Sequence, residues 1–244
     1  MSVETFRKAV ESLLAFLTDS EVDAGSKKPR RKVIGMIGGE PLLHPDFEKF
    51  VKIMHELIPH PSQRGLWTGL DWRNTKYANI IQKTFKYINE NRHDKKCVHS
   101  PVLVSISDVL CFKHQRDVLI DNCWLQRLWS GSITPKGYFF CEVAGALDMV
   151  FNGPGGLPIE PGCWNRPLSD FQDQIDRWCH RCGISMNLEG RLDSDELDDV
   201  SSSNLDALRA IGSPRLDRCI ECDGPTVMSS KCPWRYSDKV LLKP

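Results

Sequence analysis

The chain has 244 residues, 41% hydrophobic and 26% charged, which is the composition of an ordinary globular protein with room for one large or two small domains. Lys plus Arg and Asp plus Glu each total 32, so net charge argues for neither nucleic acid nor an anionic membrane as a partner. No apolar run approaches the roughly 20 residues that cross a bilayer, and the polar opening "MSVETFRKAV" is no secretory signal, so the ten cysteines predict a reducing, cytoplasmic setting in which clustered thiols hold metal.

The first predicted element is a helix, with Phe6, Val10, Leu13, Leu14 and Leu17 on one face and Ser2 as N-cap. "DAGSKKPRRK" breaks the pattern as a solvated loop. A strand follows over Lys32 to Ile37, then the turn "GGEPLLHP". A helix from about Asp46 carries Phe47, Phe50, Val51, Met54, Leu57 and Ile58 on one stripe. "LWTGL" reads as a short strand, and the next helix carries Tyr77, Ile80, Ile81, Thr84 and Ile88. "PVLVSIS", Pro101 to Ser107, is apolar, β-branched and short, which predicts a buried strand. Helices and strands in alternation imply parallel strands with crossover helices. "SITPKGYFFCEVAG" predicts a hairpin turning at Pro135-Lys136-Gly137. "LSDFQDQIDRW" reads as a helix capped by Ser169. The acidic stretch from Asp193 to Asp199, with the "SSSN" after it, reads as a flexible loop.

Ligands in parallel α/β sheets bind beyond the carboxyl ends of the strands, where Gly38 and Gly39 fall. Glycines there let a ligand approach the backbone, Glu40 can accept hydrogen bonds from an amine, and Pro41 stiffens the turn. Taken alone, a GGE turn is also what an ordinary β–α connection with a surface glutamate would show.

The longer run "GGEPLLHPDFEKFVKIM" resembles the glycine-rich motif of the radical SAM superfamily. The resemblance implies an α/β fold, a partial (β/α) barrel, in which Gly38, Gly39, Glu40 and Pro41 bind the methionyl amino group of S-adenosylmethionine. Thr68, with Gly69, sits where the family often has a TNG turn, and Ser105 falls on what would be the fourth strand. The family holds its catalytic cluster with C-x3-C-x2-C on the loop after the first strand, ahead of the helix that matches Phe6–Leu17. No C-x3-C-x2-C occurs in the 244 residues. Either the chain is truncated at the first strand or it is a degenerate relative. Truncation is the preferred reading, because the first strand is missing together with the cysteines, and on both readings these residues hold no site for reductive cleavage of the cofactor.

Among the cysteines, Cys179 and Cys182 form one C-x2-C pair and Cys219 and Cys222 another. Two such pairs signal thiolate coordination of zinc or of an iron–sulfur cluster. Cys97 and Cys111 read as structural thiols, and Cys163 is open. His180 reads as a solvent-facing knuckle residue. Cys123, Cys141, Cys179 and Cys182 follow the order of the SPASM or Twitch extension of radical SAM enzymes, which implies that they bind an auxiliary 4Fe–4S cluster. Gly137 to Cys141 is one residue shorter than that family's G-x4-C, and Leu188 stands where the longer pattern has its next cysteine. Cys219, Cys222 and Cys232 are candidates for a second site that no family spacing supports.

The expected organisation is a partial α/β core over 1–115, a small cysteine-rich hairpin domain over 116–190, and a loop with a cysteine-containing tail over 191–244. The expected partners are a small-molecule or peptide substrate and a reductant such as a flavodoxin or ferredoxin. Tryptophans 124, 129, 164, 178 and 234 line a cleft or, by default, pack the core. The alternative function is a non-catalytic, zinc-stabilised binding module. Hydrolase signatures such as G-x-S-x-G and H-E-x-x-H are absent.

Overall fold

The computed structural model describes residues 1–19, 32–92, 98–125, 131–186, 188 and 190–222. Cys97, Cys232, Trp129, Trp234 and almost all of the basic loop fall outside the described residues. The chain divides into two compact units. The first comprises Met1–Lys95, Ile133–Tyr138 and Leu157–Arg166; the second comprises Lys96–Ser132, Phe139–Gly156 and Pro167–Pro244.

The first unit opens with helix α1 (Val3–Leu13), whose N-cap Ser2 accepts the Thr5 N–H at 3.0 Å as its sequence predicts. Strand β1 (Ile34–Met36) leads through the glycine turn into helix α2 (Phe47–Leu57). Strand β2 (Arg64–Thr68), helix α3 (Ala78–Thr84) and strand β3 (Tyr87–Glu90) complete a three-stranded sheet in the order β1-β2-β3, parallel throughout. Phe47, Met54, Ile58, Leu66 and Ile81 are fully buried between the sheet and its helices. Helix α1 joins that core by stacking Phe6 on Phe50 at 4.3 Å between ring centroids. Ile88 lies in β3 rather than on α3; its spacing from Tyr77, Ile81 and Thr84 mimics a helical stripe, but the chain turns extended at Phe85.

Buried Arg64 was not anticipated from the sequence. Its guanidinium donates to the Ile58 carbonyl at 2.7 Å and the Pro59 carbonyl at 2.9 Å, and it meets His55 Nδ1 at 3.0 Å. The end of α2 is thereby tied to the start of β2, and each buried donor has a partner.

In the second unit, β4 (Val98–His99) pairs antiparallel with a later strand, and the 101–107 segment is not extended. Val104 N–H bonds the Pro101 carbonyl in a turn, and Ser105 caps a short helix α4 (Ile106–Val109) by accepting the Ser107 N–H at 3.2 Å. The burial was legible, since Val104 and Ile106 are wholly buried. A short apolar run does not by itself separate strand from helix. Helix α5 (Lys113–Asp121) adds Leu119 and Ile120 to the same cluster as Met186 and Leu188. Residues 96–115 therefore belong with the C-x2-C segment, not with the parallel sheet, and the division falls at 95/96.

The predicted hairpin is present as β5 (Ser132–Thr134) and β6 (Gly137–Phe139), turning through Pro135 and Lys136. Helices α6 (Glu142–Val150) and α7 (Gln172–Trp178) follow; Ser169 lies inside a 3-10 turn ahead of α7 and caps nothing. The acidic stretch is ordered. Strand β7 (Arg191–Leu192) pairs with β4, and β8 (Asp198–Val200) pairs in parallel with β9 (Cys219–Glu221) across helix α8 (Ser202–Ala210). Two of its acids are taken up by arginines: Asp199 takes Arg191 in two bonds of 2.6 and 3.1 Å, and Asp198 takes Arg215. None of the described sheets closes into a barrel. No helix among the described residues is long and apolar enough to cross a membrane.

Candidate functional site

The glycine turn lies past the end of β1, as the α/β reading requires. Gly38 and Gly39 both adopt positive φ, +95° and +54°, and a Cβ on either would meet open space. The turn uses backbone conformations that favour glycine, and its outer side is accessible. Pro41 is buried and starts a 3-10 turn, Pro41–Leu43.

Glu40 is held within the rim by three hydrogen bonds. Its Oε1 accepts the Leu42 N–H at 3.0 Å and the Thr68 hydroxyl at 2.8 Å, and its Oε2 accepts the Gly69 N–H at 2.8 Å. A carboxylate has about four acceptor positions, so one remains. The Thr68 hydroxyl, having donated to Glu40, accepts the Leu70 N–H at 3.1 Å. Glu40 and Thr68 therefore latch the ends of β1 and β2 together, leaving the Gly38–Gly39 backbone as the open part of the rim. Ser105 belongs to the other unit, on no strand, and spends its hydroxyl on the His180 carbonyl at 2.8 Å.

In the second unit, Cys123, Cys141, Cys179 and Cys182 all line one cavity. Three separate pieces of local structure deliver them. Cys123 follows the end of α5, its N–H bonded to the Ile120 carbonyl. Cys141 is the N-cap of α6, reached directly from β6. Cys179 ends α7 and begins a 3-10 turn, Cys179–Arg181, which Cys182 closes with its N–H on the Cys179 carbonyl at 3.3 Å. The remaining wall is apolar, with Ile120, Phe140, Leu147, Trp178 and Ile184 prominent.

Burial sets the protonation of two of these thiols, Cys141 and Cys182. It pushes Cys141 up to about 11, against a smaller opposing pull from the Ala144 and Val143 N–H groups at the helix start. Cys182 keeps some exposed area, yet enough protein surrounds it that its thiol is pushed up to about 12; the Ile184 N–H, 3.4 Å from its sulfur, opposes this, and nearby Cys141 and Cys123 add to it. Two polar groups on lining residues, the Trp178 indole N–H and the Ser185 hydroxyl, have no hydrogen-bond partner among the described residues.

Four cysteines facing one apolar cavity are a donor set of the kind that could hold an iron–sulfur cluster. Thiols with raised pKa values become thiolates when a cationic centre replaces their protons. Orphaned donors suit an acceptor such as sulfide, since leaving them buried and unpaired costs about 1–3 kcal/mol each. Among the described residues no three His, Cys, Asp or Glu side chains form a group able to hold one metal ion. A zinc ion draws its sulfurs to about 2.3 Å from a single point.

The second C-x2-C behaves otherwise. Cys219 opens β9 and Cys222 directly follows it, so three residues of extended chain carry their side chains to opposite faces. Cys222 is buried, with its thiol 3.4 Å from Asp199 Oδ1, whereas Cys219 bonds the Arg215 carbonyl at 3.4 Å. The pair does not form the tight turn that C-x2-C spacing suggests. Cys163, left open by the sequence, is buried in the first unit with its thiol 3.8 Å from the Ser12 hydroxyl, whereas Cys111, expected to be a buried structural thiol, is exposed, because it lies in the loop ahead of α5. Trp178 lines the cavity, Trp164 is buried in the first unit, and Trp124 is half exposed.

No family model, curated protein or solved structure matches this chain significantly.

Proposed function

We propose that this chain belongs to a radical SAM-type enzyme, contributing a turn for S-adenosylmethionine and a site for an auxiliary 4Fe–4S cluster. The observation that carries the reading is the convergence of Cys123, Cys141, Cys179 and Cys182, spread over 60 positions of sequence, on one apolar cavity. When bound, such a cluster supplies one-electron chemistry or a Lewis-acidic iron. The chain's residues would do the rest. The four thiolates would hold it and the apolar wall would keep water away.

In the first unit, the accessible backbone at Gly38 and Gly39 is suited to the amino-acid end of S-adenosylmethionine, with the last acceptor position of Glu40 available to its ammonium. The 244 residues contain no C-x3-C-x2-C, so the ligands of a radical-generating cluster are not among them. Substrate on this reading is a small molecule or peptide, and electrons come from a flavodoxin- or ferredoxin-type reductant.

Anaerobic purification followed by reconstitution with iron and sulfide tests the reading. The expected product is brown, absorbs at about 400 nm and carries about four irons and four sulfides per chain. Alanine at Cys123, Cys141, Cys179 or Cys182 should lower that content, and alanine at Cys219 or Cys222 should not. Colourless protein containing zinc would instead make this a metal-stabilised binding module.

A further inference from the structure

We infer that Ser105 and Asn204 are positioning residues for the Cys179–Cys182 pair, gripping the two carbonyls inside the turn so that both sulfurs face the cavity. The inference rests on the proposed cluster site and deepens it.

A C-x2-C turn contains two inner peptide carbonyls, and each is held by a buried side chain. The Ser105 hydroxyl donates to the His180 carbonyl at 2.8 Å. The Asn204 amide donates to the Arg181 carbonyl at 2.9 Å and, with the same nitrogen, to the Leu103 carbonyl at 2.9 Å. Ser105 is 1% exposed and Asn204 0%. A trans peptide is planar, so fixing the direction of a carbonyl also fixes the N–H across the bond from it. Holding the Arg181 carbonyl outward keeps the Cys182 N–H on the Cys179 carbonyl. Rotation of either plane would swing the Cα–Cβ bonds of Cys179 and Cys182 and move the sulfurs.

The clamp is itself braced. Ser105 N–H donates to the Ser201 hydroxyl at 2.8 Å, and Ser201 N–H donates to the Leu103 carbonyl at 3.2 Å. Asp108 accepts both the backbone N–H and the hydroxyl of Ser203, which secures the start of α8 and with it Asn204. On the other side of the turn, Gly183 N–H bonds the Val102 carbonyl at 3.1 Å, and a Cβ at Gly183 would stand 2.2 Å from the Pro101 carbonyl oxygen. The loop 101–105 and the start of α8 thus enclose the turn at its backbone while its thiols remain on the cavity. Partners that orient metal ligands from outside are worth about 10- to 100-fold in metal affinity.

The test uses the full chain, reconstituted anaerobically with iron and sulfide. Wild-type loading decides the underlying reading first: a chain that takes up no cluster overturns both. Given loading, Ser105→Ala and the isosteric Asn204→Asp should release iron to a ferrous chelator about 10- to 100-fold faster than wild type. Both should also change the electron paramagnetic resonance spectrum of the reduced cluster. Leu208→Ala opens a cavity at a fully buried position of α8, lowers fold stability while leaving the hydrogen bonds to the turn in place, and should leave release and spectrum at wild-type values. Ser105→Thr retains the hydroxyl and should restore slow release. Wild-type release and spectra in Ser105→Ala and Asn204→Asp would overturn the inference, as would equal acceleration in Leu208→Ala or in Ser105→Thr.

Discussion

The Thr68 hydroxyl donates to Glu40 Oε1 at 2.8 Å, joining the ends of two neighbouring parallel strands across 28 residues of sequence. With the Gly69 N–H on Oε2, this carboxylate fixes the rim on which the open glycine backbone sits. Glu40→Gln keeps the shape but turns an amide donor toward a donor. It should cost about 1.5–3 kcal/mol, the worth of hydrogen bonds to a charged group. Thr68→Val should cost less and, combined with Glu40→Gln, add less than its own value, because both remove one latch. Urea denaturation of the two single variants and the double variant measures this.

Glycines near this rim are required for different reasons. At Gly39 the constraint is φ of +54° with open space around it, so Gly39→Ala should cost about 1–2 kcal/mol whatever surrounds it. At Gly35 a Cβ would stand 2.0 Å from Trp67 Cζ3, an overlap that forces the ring to move. Gly35→Ala should cost about 3 kcal/mol or more. A second substitution, Trp67→Leu, should recover part of the Gly35→Ala loss and none of the Gly39→Ala loss, as a denaturation cycle would show.

The Arg191–Asp199 pair offers a test in the second unit. The Asp199 side chain is 4% exposed and takes Arg191 through both oxygens. Arg191→Ala leaves a buried carboxylate without its cation, at a cost of about 3–5 kcal/mol. Adding Asp199→Asn should return much of that loss, since the uncompensated charge is then gone. Thermal unfolding of the three variants checks the order.

The cavity thiols make metal-free protein sensitive to alkali. Cys141 and Cys182 are raised from an ordinary 9.0 to about 11 and about 12 in the folded state. Below pH 9.0 both thiols are protonated whether folded or unfolded, and their favourable burial is fully present. As pH rises through that value the unfolded chain ionises first, so stability falls until the folded pKa values are passed. Metal-free protein should therefore lose stability between about pH 9 and pH 12, and Cys141→Ala with Cys182→Ala should flatten that slope in urea titrations. At about pH 8 only about one Cys141 in a thousand is thiolate. Iodoacetamide should then label exposed Cys111 well before Cys141 or Cys182, as peptide mass spectrometry would read.

How much of this could be read beforehand differs between the two units. In the first, β1, α2, β2 and α3 follow from apolar periodicity and the glycine turn, because each element buries one face against its sequence neighbours. The short strand β3 was hidden, since Ile88 continues the spacing of α3 by coincidence. In the second, the run at 101–107 is buried as expected but folds as a turn and short helix. The acidic stretch and "SSSN" read as loop, yet they form β8 and the start of α8. Nothing local marks Asn204 as a donor to a carbonyl 23 residues away; only Gly183, directly after the C-x2-C, carries a visible signal of close backbone approach.

By itself the sequence determined the alternating helices and strands of the first unit, the glycine turn at its rim, and which cysteines are paired by spacing. Those depend on local periodicity, dihedral freedom and short-range geometry. Only the tertiary structure decided that Cys123 and Cys141 share a cavity with Cys179 and Cys182, that Cys219 and Cys222 part across a strand, and that Glu40 serves Thr68 and Gly69. Each of those outcomes depends on which distant segment offers a hydrogen-bond partner or a place to bury a side chain, and neighbouring residues do not encode that choice.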